Sequence, residues 1–337
     1  MRHRNVIMLF TFTLLLALLM PISAQEDATV VADGLTNPRN LSYDSEGNLY
    51  VALTGTAGDL IADSGDEYGA TGQVVQIAPD GSTDVLVRGL ISIPAGNPRG
   101  VHDVQVTDDS IWIVLGDTSD LSIPFTHALV ELDRETRRVK TWVDLLGLEL
   151  AEDPDGNPNG ESNGIDFDIL DDGSILIANA SCNCLMQWSR DAGLSIVNAW
   201  PHETDNPVPT SVEVGPNGDI YVGFLTGFPF PEGGARIERW SNGELAETFD
   251  GLTAVSGLLV TDDGTIYASE FGVFSQDQGW GPGRVVTVSA DGITPVLEDV
   301  TQPFGLVQAP DGSIQVALGA SAGEGQGSIV TLPGTGM

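Results

Sequence analysis

The segment TSVEVGPNGDIYVGF (210–224) decides how the rest of the chain is read. Two runs of alternating apolar residues flank an Asn-Gly pair, and the second run ends in small residues. Such a pair between alternating runs is a strong hairpin signal, because the turn needs residues that tolerate positive φ. The unit recurs as NLSYDSEGNLYVAL (40–53), VHDVQVTDDSIWIVL (101–115), GIDFDILDDGSILIANA (164–180), SGLLVTDDGTIYASE (256–270) and FGLVQAPDGSIQVAL (304–318). Its equivalent turn positions are Gly47, Asp109, Gly173, Gly218, Gly264 and Gly312, at spacings of 62, 64, 45, 46 and 48 residues. The last three spacings match the period of a propeller blade, and the first two fit blades carrying loop insertions.

Each copy is followed by a second hairpin, as in GQVVQIAPDGSTDVLVRGL (72–90) and ARIERWSNGELAETFDGL (235–252), which makes four strands per repeat. The last repeat is one strand short, ending with GSIVTL (327–332) and a short tail. The missing strand is found at the other end of the chain, where ATVVADGL (28–35) matches TDVLVRGL (83–90). The sequence therefore predicts an all-β, six-bladed β-propeller with four antiparallel strands per blade. Its last blade is closed by the N-terminal strand 28–35, which leaves only short, protected edges. Outside the N-terminus, only DLLGLELAED (144–153) has room for one or two helical turns.

The chain opens with basic MRHRN, apolar VIMLFTFTLLLALLM and then PISAQ. These are the three parts of a secretory signal, and the apolar run is shorter than the ~20 residues of a membrane span. Residues 1–24 are expected to be a signal peptide, and 25–337 a single secreted (extracellular or periplasmic) domain. With 13 Lys+Arg against 48 Asp+Glu, the formal net charge is −35. That field disfavours nucleic acid and anionic membrane surfaces and suits a soluble exported monomer. The two cysteines, Cys182 and Cys184, are too few for a structural zinc site, and a Cys-x-Cys bridge closes a very small ring. They read as a local hairpin feature, oxidised or not.

The longer segment PVPTSVEVGPNGDIYVGFLTGFPFPEGGARIERW (207–240) resembles the signature of the ScyD/ScyE family, secreted propellers named from scytonemin-biosynthesis gene clusters of cyanobacteria. VVADGLTNPRNLSYDSEGNLYVA (30–52), ESNGIDF (161–167) and the 304–318 repeat agree with it, so the resemblance spans essentially all of 25–337. Two features depart from the family: NPRNL, where a glycine commonly follows the arginine, and the Cys182–Cys184 hairpin. The resemblance implies the fold and export. Its wider relatives, NHL-repeat and gluconolactonase-like propellers, include binding modules and metal-dependent hydrolases.

Propeller ligands sit at the mouth of the central channel, lined by the starts of the innermost strands and the loops after the second strands. Those places carry Arg39, His102, Asp117, Asn163, Asn179, Thr210 and Glu270. A lactonase-type metal site would draw on Glu270, Asn163 or Asn179, and Asp117 to hold a hard cation. Otherwise these residues solvate the channel and tie the blades together. DGNPNGESNGID (155–166) offers Asp155, Asn157, Asn159 and Asp166 at calcium-loop spacing around Gly160, against the simpler reading of an exposed loop. Calcium is the one cofactor the sequence suggests. LTGFPFPEGG (225–234) sets Phe228 and Phe230 in a stiff turn, and Trp280 lies in a glycine-rich loop. The expected partner is a small molecule or protein at the channel face. A non-enzymatic binding or scaffold role leads, with a calcium-dependent hydrolase or lactonase as the alternative.

Overall fold

The computed structural model describes residues 28–94, 98–118, 120–202 and 206–336; the expected signal peptide, 1–24, lies outside them. Five of the repeated turns are built alike. In each, the glycine (Gly47, Gly173, Gly218, Gly264 or Gly312) lies at φ between 76° and 84°. It donates its N–H to the carbonyl three residues back, and that earlier residue donates to the carbonyl four residues on. This is a type I turn followed by a left-handed residue, a conformation that favours glycine. The turn at Asp109 differs: Thr107 N–H bonds the Ser110 carbonyl at 2.9 Å. That loop is one residue shorter and has no left-handed position to fill.

Four four-stranded sheets and one nine-stranded sheet carry the fold, with a two-stranded ribbon pairing Phe274–Ser275 with Gly279–Trp280. In the large sheet, two four-stranded runs are joined where Ser92 pairs with Gly100 and Ile93 with Arg99. The chain begins in β1 (Thr29–Leu35), and the first strand of each run is innermost. These inner strands are β2 (Pro38–Tyr43), β3 (Arg99–Val106), β4 (Gly164–Ile169), β5 (Pro209–Val214), β6 (Val255–Val260) and β7 (Leu306–Gln308). Each touches the next, and β7 returns to β2, so together they ring a channel. The architecture is a β-propeller.

The core lies between sheets. Neighbouring residues of one strand point to opposite faces, and both faces are covered. Leu258 packs with Ile237 and Phe249, whereas Leu259 packs with Leu306 and Val316. Ile113 joins Val74 and Val104 on one side, while Trp112 meets Trp188 on the other, with ring centroids 5.2 Å apart. Full burial of such a side chain stabilises by roughly 1.5–3 kcal/mol.

β1 pairs antiparallel with β8 (Gly327–Thr331), from Thr29↔Thr331 to Leu35↔Gly327. Gly327 is needed there, because a Cβ would fall 2.3 Å from the Pro38 ring. Asn37 Oδ1 also accepts the Gly323 N–H at 2.8 Å. The helical segment forms α1 (Leu145–Glu152), capped by the Asp144 carboxylate, which accepts the Gly147 N–H at 3.0 Å. Cys182 and Cys184 form a disulfide in the turn after the strand Ile175–Asn179, and both are fully buried.

Asp166, which falls both at the last position of the calcium spacing and in the first strand of the 164–180 repeat, is an inner-strand residue. Its Oδ1 accepts the Asn40 amide at 3.0 Å, and its Oδ2 accepts the Val212 N–H at 2.9 Å. It faces Asp103, and with Asp168 and Glu213 these acids crowd three successive inner strands. Burial, then mutual repulsion, holds the Asp166 and Glu213 carboxyls well above the usual range. Burial raises Asp103 to about 7.

Two outcomes follow. A chain starting at Thr36 loses β1 and should melt far below one starting at Gln25, which should match the full-length protein; equal melting of the first two would disprove closure by β1. Because the channel acids keep their protons to higher pH when folded than when unfolded, their contribution is fullest below about pH 4 and is lost as pH rises through 7. Glu213→Gln should therefore raise Tm at pH 8 by about 2 °C or more and leave it unchanged at pH 4, flattening the melting profile.

Candidate functional site at the channel mouth

At one end the channel opens into a cavity of about 480 Å³. The inner strands contribute Arg39, His102, Ile165 and Thr210 to it. Loops add Asn157, Glu161, Asn163 and His202, together with Phe230, Phe271 and Phe304, and the two-stranded ribbon adds Trp280.

Arg39 is 3% exposed. One guanidinium nitrogen donates to the Pro98 carbonyl at 2.7 Å, and the head lies 4.5 Å from the Phe304 ring centre. Burial pulls its pKa down to about 9. His102, 2% exposed, places Nδ1 at 3.0 Å from the Gly164 carbonyl. A carbonyl only accepts, so Nδ1 carries the proton and Nε2 the lone pair. Burial first, then the Arg39 and Arg99 charges, lowers the His102 pKa to about 3 against the opposing bond to Gly164. The imidazole is therefore neutral at physiological pH.

Part of the wall is aromatic. Trp280 lies 4.9 Å from Phe230 and 5.0 Å from Phe271, and Phe271 lies 6.5 Å from Phe304, centre to centre. The two contacts of Phe271 are edge-on and that of Trp280 with Phe230 is tilted, arrangements that orient the rings. Phe230 and Trp280 stand out in the sequence, the first in a stiff proline-flanked turn and the second in a glycine-rich loop. Phe271 and Phe304 were missed, although both stand where strands meet the mouth, as SEFG and QPFG show. Phe228 stays 66% exposed beside Phe230 at the rim.

The structure separates the residues proposed for a channel metal. Glu270 is not at the mouth: its carboxylate binds the Arg284 guanidinium and the Thr253 N–H and lines a different cavity. Asp117 pairs with Arg99 at 3.4 Å and faces the cavity next door. Asn179 is fully buried behind the wall, its Oδ1 accepting the Asn163 N–H at 2.6 Å and its amide donating to Ser162 at 2.7 Å. Asn163 reaches the mouth, but its Oδ1 accepts the Asp117 N–H at 3.1 Å. Thr210 is spent on the Val255 carbonyl at 2.7 Å. Among the described residues no three His, Cys, Asp or Glu ligands converge at the mouth. These side chains do not fit a channel metal.

The proposed calcium loop also rearranges. Asp155 is buried, accepting the Asn157 N–H at 2.9 Å and the Asn183 amide at 2.8 Å. Asn157 Oδ1 accepts the Asn159 N–H at 3.2 Å, while the Asn159 side chain is exposed. The loop folds back over the end of α1 instead of encircling an ion with Asn159 and Asp166.

No family model and no curated protein sequence matches the chain. Solved structures do. A gluconolactonase from Xanthomonas campestris superimposes with a TM-score of 0.55 at 12% identity, over 92% of this chain and 91% of that one. Regucalcin, a calcium-binding protein from Agrobacterium tumefaciens, gives 0.54 at 12%, over 91% and 95%. A catalytically inactive virginiamycin B lyase from Staphylococcus aureus, solved with quinupristin, gives 0.50 at 11%, over 91% and 98%. At these identities the likeness establishes the propeller fold, and the fold by itself assigns no activity.

Proposed function

We propose that this is an exported, six-bladed propeller of the ScyD/ScyE kind whose channel mouth opens a small lactone or related cyclic ester. The closed ring of contacts among β2 to β7 supports six blades. The leader 1–24 supports export, and the repeats quoted above support the family. The observation that carries the reaction is a buried cation, Arg39, acting on a neutral histidine, His102, in a cavity walled by aromatic rings. The gluconolactonase and the lyase of the same fold favour chemistry over a passive scaffold.

In this reading the substrate ring lies against Phe271 and Trp280, and its carbonyl oxygen points toward Arg39. Water adds to the carbonyl carbon and gives a proton to His102 Nε2. The ring C–O bond then breaks, and the leaving alkoxide takes that proton back. Arg39 stabilises the oxyanion. A histidine held near 3 is a weak base in the free protein. Negative charge developing beside it raises its basicity in the transition state. No step needs a metal at the mouth.

A second reading is non-enzymatic capture of the same ligand class or of a protein partner; the exposed Phe228 at the rim favours it. Incubation with an aromatic δ-lactone such as dihydrocoumarin, read by acid release and by tryptophan quenching, separates the two. His102→Asn should lower turnover by roughly 10²–10⁴ while keeping ligand affinity within a few fold. Arg39→Gln should lower both. Saturable quenching without acid release favours capture, and neither signal removes the mouth as a site.

A further inference from the structure

We propose that Glu149, Asp153 and Asp155 hold a calcium ion at the C-terminal end of α1, beneath the loop 153–162. This site is separate from the channel mouth and stands whether or not the mouth is catalytic. The three carboxylates place one oxygen each within 4.8 Å of the others. Oxygens around a calcium ion at about 2.4 Å lie at most about 4.8 Å apart, so the spread fits a single coordination sphere.

The independent observation is Glu149. Its side chain is 1% exposed, yet neither carboxylate oxygen has a hydrogen-bond partner. A buried, unsatisfied carboxylate is among the most costly groups a fold can carry, and native structures normally supply it with a donor or an ion. The neighbours instead make the position worse. The Asp155 and Asp153 carboxylates lie close enough to add their repulsion to the cost of burial. The end of a helix carries partial negative charge, and the last turn of α1 has no basic residue to balance it. A divalent cation supplies both the missing partner and the missing positive charge.

The donor set selects the ion. It consists of carboxylate oxygens on a helix end and the loop that follows it, with no thiolate among them, which suits a hard cation. Calcium accepts irregular oxygen cages, whereas magnesium demands near-octahedral geometry and keeps its water. Asp155 is steadied for this role by the Asn183 amide at 2.8 Å and the Asn157 N–H at 2.9 Å, which leave further lone pairs on both oxygens. The loop the ion would pin carries Asn157 and Glu161 into the channel mouth.

The test titrates CaCl₂, and separately MgCl₂, into the chelator-treated chain from Gln25 onward, by calorimetry and thermal melting. One calcium per chain should bind and raise Tm, with magnesium at least tenfold weaker. Glu149→Gln should weaken calcium at least tenfold and abolish the calcium-dependent rise in Tm. Since this change also removes the unsatisfied charge, the calcium-free variant should melt at or above the calcium-free wild type, which keeps it interpretable where Asp155→Asn fails to fold. Wild-type protein that binds no calcium, Glu149→Gln that binds it as well as wild type, or equal affinity for magnesium would each overturn the proposal.

Discussion

A sheet whose inner strands are apolar on both faces has to be covered twice, and every cover is itself a sheet with the same need. Leu258 and Leu259, adjacent in sequence, belong to different cores. The same is true of Trp112 and Ile113. Stacking one sheet on the next postpones the problem by one face each time, and only a closed ring removes it. The packing of Leu41, Val51 and Val75 against Ala317 and Ile329 completes that ring. The pairing of β1 with β8 fastens it, because the two ends of the chain then share one sheet.

Closure brings the starts of the inner strands together and sets a second constraint, the satisfaction of polar groups in a narrow channel. The solution is a set of side-chain bonds from one inner strand to the backbone of the next. Ser42 donates to the Val104 carbonyl at 2.7 Å and Gln105 to the Phe167 carbonyl at 2.6 Å. Asp168 accepts the Val214 N–H at 3.0 Å, and Ser256 donates to the Pro303 carbonyl at 2.7 Å. Thr210 belongs to this set, so its presence at the mouth serves blade registry. His102 joins the set through Nδ1, which donates to the Gly164 carbonyl at 3.0 Å, so what is left over for chemistry is its Nε2 and the aromatic wall.

Acidity runs through the whole molecule but means different things in different places. In the turns, short Asp side chains accept local N–H groups: Asp311 accepts both N–H and Oγ–H of Ser313, at 3.0 and 2.6 Å. In the channel, burial first and then the neighbouring acids raise the pKa values of the Asp103, Asp166 and Glu213 carboxyls. At the end of α1, Glu149 is buried without a hydrogen-bond partner. A count of acidic residues shows none of these differences, because they depend on which donors the fold brings near each carboxylate.

What the sequence determined by itself was everything carried by short-range pattern. Alternating apolar runs, Asp-Gly and Asn-Gly turns, and a final repeat lacking one strand were enough for a propeller closed by residues 28–35, since strand period and turn conformation are local properties. Even there, the loop at Asp109 hid a missing residue that only the turn geometry exposes. Sites were less legible. Asp117, Asn179 and Glu270 occupy the expected places along the chain, yet Arg99, Ser162 and Arg284 claim them. Asp155 was visible, but its acidic neighbours came from the helix before the loop and not from the spacing after it. Phe304 and Arg39 meet only because the last sheet closes on the first. Convergence of side chains from distant strands is decided by ring closure and by competition for partners, and neither is encoded within the span of a motif.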